Sequence, residues 1–220
     1  MVDRNIVHIP EVYRYIESSR RSTDLEGYLF MEYIHGKALK DVDFEEHSHL
    51  PPRVANILIH LGKIISSDSD HIPGPLHGGQ PLGYIFGDYG AKTDFTSLND
   101  LTAYMNKRLE YCSQSKALAV NLEPINLDPY AENLVLCHGD ICRRNIILEE
   151  DGSLCLLDWG YSGFYPRSSE LATLKCILML RHDEKFEPLV TNEFEKLLGL
   201  TDQEKRDTIL TLYVQSANLR

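Results

Sequence analysis

The order of patterns along this 220-residue chain predicts an α+β fold. Two runs rich in Val, Ile, Tyr and Phe open the sequence, and helical patterns fill the middle. A short β-hairpin near residue 146 then precedes further helical patterns. Strands and helices are segregated rather than alternating, which argues against a parallel α/β sheet. With 43% hydrophobic and 25% charged residues, the chain has ordinary globular composition. It is long enough for one core, as a single domain or two small lobes.

The first element is a predicted hairpin. VYRYIES (residues 12–18) and GYLFMEYI (residues 27–34) are joined by the polar connector SRRSTDLE, and His35-Gly36 ends the second strand. After Pro51-Pro52, a helix is expected with Val54, Ile57, Leu58, Leu61, Ile64 and Ile65 on one stripe. Residues 68–95 are rich in glycine and proline and predict a long loop, a class that is usually functional or disordered. GDYGAKT within it approaches a phosphate-binding loop, but Phe86 and Ala91 occupy both glycine positions of that pattern, which excludes it.

Ser97 is placed as an N-cap with Asp100 three residues on, opening a helix that carries Leu98, Leu101, Met105, Leu109 and Cys112. A proline-containing link (NLEPINLDPY) leads to two short apolar strands joined by EEDGS, which is good turn chemistry. Helical patterns follow at 170–181 and 202–215.

The net charge of −11 argues against a nucleic-acid partner, because phosphate backbones demand a basic surface. No segment approaches the roughly 20 apolar residues that span a bilayer. The start MVDRNIVHIPEV lacks the pattern of a signal peptide. The five cysteines (112, 137, 142, 155 and 176) are scattered, which fits free thiols in a reducing, cytoplasmic setting. A zinc site from Cys137, His138, Cys142 and Cys155 is disfavoured, since Cys137 and Cys155 sit inside apolar strand patterns.

The stretch with most chemistry is LCHGDICRRNIILEEDGSLCLLDWG, residues 136–160. His138-Gly139-Asp140 is followed by Asn145 in H-x-D-x-x-x-x-N spacing, and Asp158-Trp159-Gly160 follows after one β-turn. Phosphoryl transfer needs one carboxylate on the acceptor hydroxyl, and a second carboxylate with an amide oxygen on Mg²⁺. Mg²⁺ prefers oxygen ligands and keeps several waters, so one Asp and one Asn suffice.

Residues 134–160 resemble the catalytic and metal-binding segments of the aminoglycoside phosphotransferase family, relatives of choline kinase within the protein-kinase-like fold. YLFMEYIHGKAL (residues 28–39) resembles its last N-lobe strand and hinge, and residues 83–109 resemble the middle region of fungal members. The resemblance implies Asp140 as catalytic base, Asn145 as a Mg²⁺ ligand and Asp158 as the principal one. It implies that the backbone of Met31, Glu32, Tyr33 and Ile34 faces the adenine of ATP. His138 is expected to be structural, and Arg143 and Arg144 to be structural or solvated ion pairs rather than phosphate contacts.

The resemblance also implies a division into residues 1–34, a remnant of the N-terminal β lobe with its hinge, and residues 35–220, a helical C-terminal lobe carrying a β-hairpin catalytic insertion. No G-x-G-x-x-G or V-A-I-K-like strand precedes Tyr28, and Lys37 and Lys40 follow the hinge, so an N-terminally truncated member is expected. An N-terminal sheet of two strands would leave a bare edge, open to a second chain. Two functions follow: an ATP- and Mg²⁺-dependent phosphotransferase acting on a hydroxyl of a small molecule, or an inactive kinase-fold remnant that serves as a binding module.

Overall fold

The computed structural model of the chain describes residues 2–18, 26–43, 45–67, 72–76, 78–87, 90–114, 122–128, 133–180 and 185–218. In chain order the elements begin with β1 (Val12–Ser18), β2 (Glu26–Met31), β3 (Gly36–Ala38), α1 (Leu50–Leu61), β4 (Gly74–Pro75) and α2 (Leu98–Gln114). They continue with β5 (Val135–Cys137), β6 (Ile146–Glu149), β7 (Leu154–Leu156), β8 (Gly163–Tyr165), α3 (Ser169–Leu180), α4 (Phe186–Leu198) and α5 (Asp202–Asn218). The strands form three small antiparallel sheets, β1-β2, β3-β6-β7 and β4-β8-β5. Among the described residues, small sheets set among five helices confirm the α+β prediction.

The opening hairpin forms as expected, with Tyr15 opposite Leu29 and Ile16 opposite Tyr28. Its connector at residues 19–25 lies outside the described residues. The second strand stops at Met31 rather than Ile34, with one further bond across the hairpin from the Glu32 N–H to the Glu11 carbonyl at 2.8 Å. Gly36 does not simply end the pairing: it starts β3, which pairs with β6. A Cβ there would stand 2.3 Å from the Leu148 carbonyl oxygen, so glycine permits the close approach.

Helix α1 carries Pro51 and Pro52 in its first turn and buries Val54, Ile57, Leu58 and Leu61 as their spacing predicts. Ile64 and Ile65 leave that stripe. Gly62 caps the helix, with its N–H on Leu58, and Ile65 then bridges to Val135 with half its surface exposed. The expected N-cap of α2 is present: the Asp100 N–H donates to Ser97 Oγ at 3.1 Å. All five apolar residues of its predicted stripe are buried.

Helix α4 has no counterpart in the sequence reading. Pro188, Val190, Thr191 and Asn192 are poor helix formers, and no side chain caps the start. Its Phe186, Val190 and Phe194 recur every four residues and pack with α1 in a first apolar cluster, so tertiary burial outweighs weak local propensity. A second cluster joins α2, α5 and the loop bearing Ile85, Phe86 and Phe95. Helix α3 lies between them, with Leu171 and Leu174 in the first cluster and Ala172 in the second.

Residues near the start of the chain bind to this body and to the end of the hairpin. Val7 is buried in the first cluster. The His8 N–H donates to the Leu154 carbonyl, and the Leu156 N–H donates to the His8 carbonyl, both at 2.9 Å. The His8 ring joins two elements, with Nδ1 at 2.9 Å from Glu149 and Nε2 at 3.1 Å from Glu32. Burial alone would lower its pKa, but the hydrogen bonds to Glu149 and Glu32 outweigh it and raise the value.

Two measurements test this frame. Phe186→Ala should cost about 3–5 kcal/mol in chemical denaturation, the range for emptying a buried aromatic site. His8 is protonated more readily when folded, so its stabilisation is complete below about pH 6.5 and is lost as pH rises through the raised folded value. Comparing denaturation midpoints at pH 5.5 and 8.5, that part of the decline should vanish in His8→Gln.

Candidate active site

Strand β5 delivers His138, Gly139 and Asp140 to a junction between the two clusters. Its side chains alternate: Val135 and Cys137 face the second cluster and Leu136 the first. The chain then turns sharply at Gly139, where φ is +82° and a Cβ would lie 2.7 Å from the Tyr161 carbonyl oxygen.

Glu170, in the first turn of α3, holds this turn from beneath. Its buried carboxylate accepts the His138 N–H at 2.6 Å and the Gly139 N–H at 3.1 Å. Burial pushes its pKa up to about 7, against the opposing pull of those two hydrogen bonds, and the nearby Asp140 charge adds to the rise. His138 is fully buried and, through that burial, its pKa falls to about 4. The neutral ring spans two backbone groups: Nε2 donates to the Leu157 carbonyl at 3.0 Å and Nδ1 accepts the Asp140 N–H at 3.2 Å. His138 is structural, as expected.

The Asp140 carboxylate is buried and held from three sides. Arg144 donates to both oxygens, at 2.9 and 2.6 Å. The Asn145 amide donates to Oδ2 at 2.8 Å and to the Asp140 carbonyl at 2.9 Å. The Tyr84 hydroxyl donates to Oδ1 at 3.2 Å, and Tyr84 also hydrogen-bonds the Arg144 guanidinium. Arg143 pairs with Glu187: its backbone N–H donates to Oε1 at 3.1 Å and its Nε lies 3.7 Å from Oε2.

The second loop is tied to the first through the backbone. The Leu157 N–H donates to the Asn145 carbonyl at 2.8 Å, which puts Asp158 one residue past the point where the loops join. Asp158 is exposed and takes the left-handed conformation, with φ 62° and ψ 66°. A non-glycine residue held there costs of order 1–3 kcal/mol, and such outliers cluster at functional sites. Both N–H groups of the Asn145 amide serve Asp140, which leaves its Oδ1 as the oxygen able to meet a cation. An amide oxygen and an exposed carboxylate on joined loops fit Mg²⁺, which takes few protein ligands.

The cysteines contribute no ligand-like cluster among the described residues. All five thiols are buried, and burial pushes Cys155 and Cys176 up to about 12. At the expected hinge, Met31 is exposed and paired with Val12, Glu32 is held by His8 and Glu11, Tyr33 is exposed and Ile34 is buried. Met31–Ile34 thus lie on a segment separate from the Asp140 cluster, and His8 links it to β6 through Glu149.

A family model described as the phosphotransferase enzyme family, APH, matches residues 1–200. The chain belongs to this family. Among solved structures, aminoglycoside phosphotransferase APH(4)-Ia is similar at 18% identity, with a TM-score of 0.60 over 98% of this chain and 69% of that one. A thermostable mutant of the same enzyme in its apo form is similar at 16% identity, with a TM-score of 0.55 over 97% of this chain and 69% of the other. At such identities the likeness establishes the fold, which is the kinase-like architecture of aminoglycoside phosphotransferases. None of the curated proteins matches the sequence.

Tyr84 and Glu170 escaped the sequence reading. Both touch the H-G-D segment from far along the chain, 56 and 32 residues away, and neither belongs to a local pattern. The one sequence hint was the length of the glycine- and proline-rich loop that carries Tyr84.

Glu170 makes the clearest prediction here. A carboxyl whose folded pKa is raised costs stability as pH climbs from its ordinary value near 4.5 to about 7. Glu170→Gln should keep the fold and remove that decline in pH-dependent urea denaturation. Glu170→Ala should instead cost about 1–3 kcal/mol for each buried N–H left without a partner.

Proposed function

We propose that this member of the phosphotransferase family is an ATP- and Mg²⁺-dependent kinase for a hydroxyl of a small molecule. The observation that carries this reading is the Tyr84 hydroxyl donating to Asp140 Oδ1 at 3.2 Å, which is within the reach required between a general base and its acceptor. In this role Asp140 orients the acceptor hydroxyl and takes its proton. Arg144 and Asn145 fix the carboxylate so that one oxygen faces the acceptor.

Asn145 and Asp158 would hold the metal, which when bound neutralises charge on the phosphates. Glu170 and His138 position the loop without touching substrate. Residues 1–34 would act as a small nucleotide-facing lobe and 35–220 as the acceptor-side lobe. The ladder engages Met31, and the Glu32 N–H is bonded to Glu11, so within Met31–Ile34 the backbone of Tyr33 and Ile34 is best placed to meet an adenine edge.

One observation favours a second reading, a binding module descended from such an enzyme. The β1-β2 sheet exposes Tyr13, Tyr15, Tyr28, Leu29 and Phe30, each by more than half and spread over its two faces, which a second chain would cover. The two readings separate on nucleotide. On the first, ATP with Mg²⁺ raises the melting temperature and is turned over to ADP. Asp140→Ala should then lower turnover by about 10²–10⁴-fold, and Asp158→Ala should abolish the Mg²⁺ dependence of the thermal shift. A folded protein with neither a shift nor turnover would leave the binding module.

A further inference from the structure

We propose that the acceptor is an uncharged hydroxyl compound with a flat apolar body, of the phenol or aryl-alcohol class, and that Tyr84 occupies its place until it arrives. The inference rests on Asp140 being the base and names the substrate class of that same site.

The phenol of Tyr84 sits where an acceptor hydroxyl has to be, on Oδ1 of a carboxylate whose other partners are Arg144, Asn145 and the Cys142 thiol. Its ring meets the edge of Tyr161 at 6.2 Å between centroids and an interplanar angle of 89°, a favourable aromatic arrangement. The chain's own side chain therefore shows what this corner of the site accommodates: a ring beside an aromatic wall, with a hydroxyl turned to the carboxylate.

The small cavity beside Tyr84 and Gly139 has the same character. Leu82, Ile85, Phe86, Met105, Tyr161 and Tyr165 supply its walls, and none of its described lining residues carries a charge. A polycationic acceptor placed there would lose water around its ammonium groups with no carboxylate in the cavity wall to replace it. With Tyr84 in place the remaining space is about 20 Å³, room for about one water, so an acceptor has to displace something.

The backbone around Tyr84 is anchored. The Ala91 N–H donates to the Pro81 carbonyl at 2.9 Å and the Phe86 N–H to the Gly83 carbonyl at 3.0 Å. Ile85 and Phe86 are buried in the second cluster. The moving part is then the Tyr84 side chain, which rotates out as the acceptor hydroxyl replaces its own on Asp140.

The test uses the full chain and 4-methylphenol, the tyrosine side chain as a free molecule. Binding is followed by the fluorescence of Trp159, the single tryptophan, whose ring lies 4.6 Å from that of His138. In Tyr84→Ala, 4-methylphenol should bind at least tenfold more tightly than in the unaltered protein. Tyr84→Phe, which keeps the ring but not the hydroxyl, should give a gain of about threefold and serves if the alanine variant fails to fold. Adding Asp140→Ala to either variant should reverse the gain, and kanamycin, a polycation, should give no saturable change.

Equal affinities for 4-methylphenol across the Tyr84 series, or kanamycin binding more tightly than 4-methylphenol, would overturn the proposal. Binding is read without nucleotide, so an absence of ATP turnover refutes the kinase reading and leaves this result intact.

Discussion

A buried carboxylate holds the His138–Asp140 turn in shape, and much else in the structure depends on it. Glu170 meets two successive backbone N–H groups at a turn that runs between two apolar clusters, where water cannot serve them. The arrangement is electrostatically tense. Burial raises the Glu170 pKa to about 7 even though two donors favour the charged form, and Asp140 adds a like charge nearby. Arg144, donating to both Asp140 oxygens, offsets part of that repulsion and orients the second carboxylate. The site is a pair of carboxylates with separate partners: Glu170 anchors backbone, and Asp140 gathers the side chains of Arg144, Asn145 and Tyr84.

The positions of the clusters explain why the loop can be so exact. Strand β5 has only three residues, yet its alternating side chains enter both cores, so the strand cannot slide or roll without exposing one of them. Helix α3 is likewise shared between them, and it carries Glu170 at its start. The loop is thus fixed at both ends by elements that belong to the whole body rather than to one layer. The segment bearing Tyr84 is equally anchored, since Ile85 and Phe86 follow it and are buried.

His8 plays the corresponding part on the other side. It sits against β7 through its backbone while its ring bridges Glu149 of β6 and Glu32 at the end of the opening hairpin. A hairpin of two strands is marginal alone, and this clamp gives it a polar tether to the body. The tether is charge-sensitive, so the junction between hairpin and body responds to pH through one side chain.

Much of this protein was legible in its residues wherever the governing interactions are local. The segregated pattern showed an α+β fold, Ser97 marked the start of α2, and EEDGS marked the turn between β6 and β7. The H-G-D-x-x-x-x-N spacing and the later Asp158 marked one short stretch for phosphoryl chemistry, and the structure brings Asp140 and Asn145 into contact and joins them to the Asp158 loop. The family follows from the same residues. Tertiary structure decided what depends on distant partners. Helix α4 forms because Phe186, Val190 and Phe194 find α1, not because its residues favour a helix. Ile65 leaves its predicted stripe to bridge β5. Glu170 and Tyr84 reach Asp140's loop across 32 and 56 residues or more, distances over which neither periodicity nor spacing carries information. Local geometry selects the chemistry available to the chain, while burial and long-range hydrogen bonds decide which atoms hold it and which face the pocket.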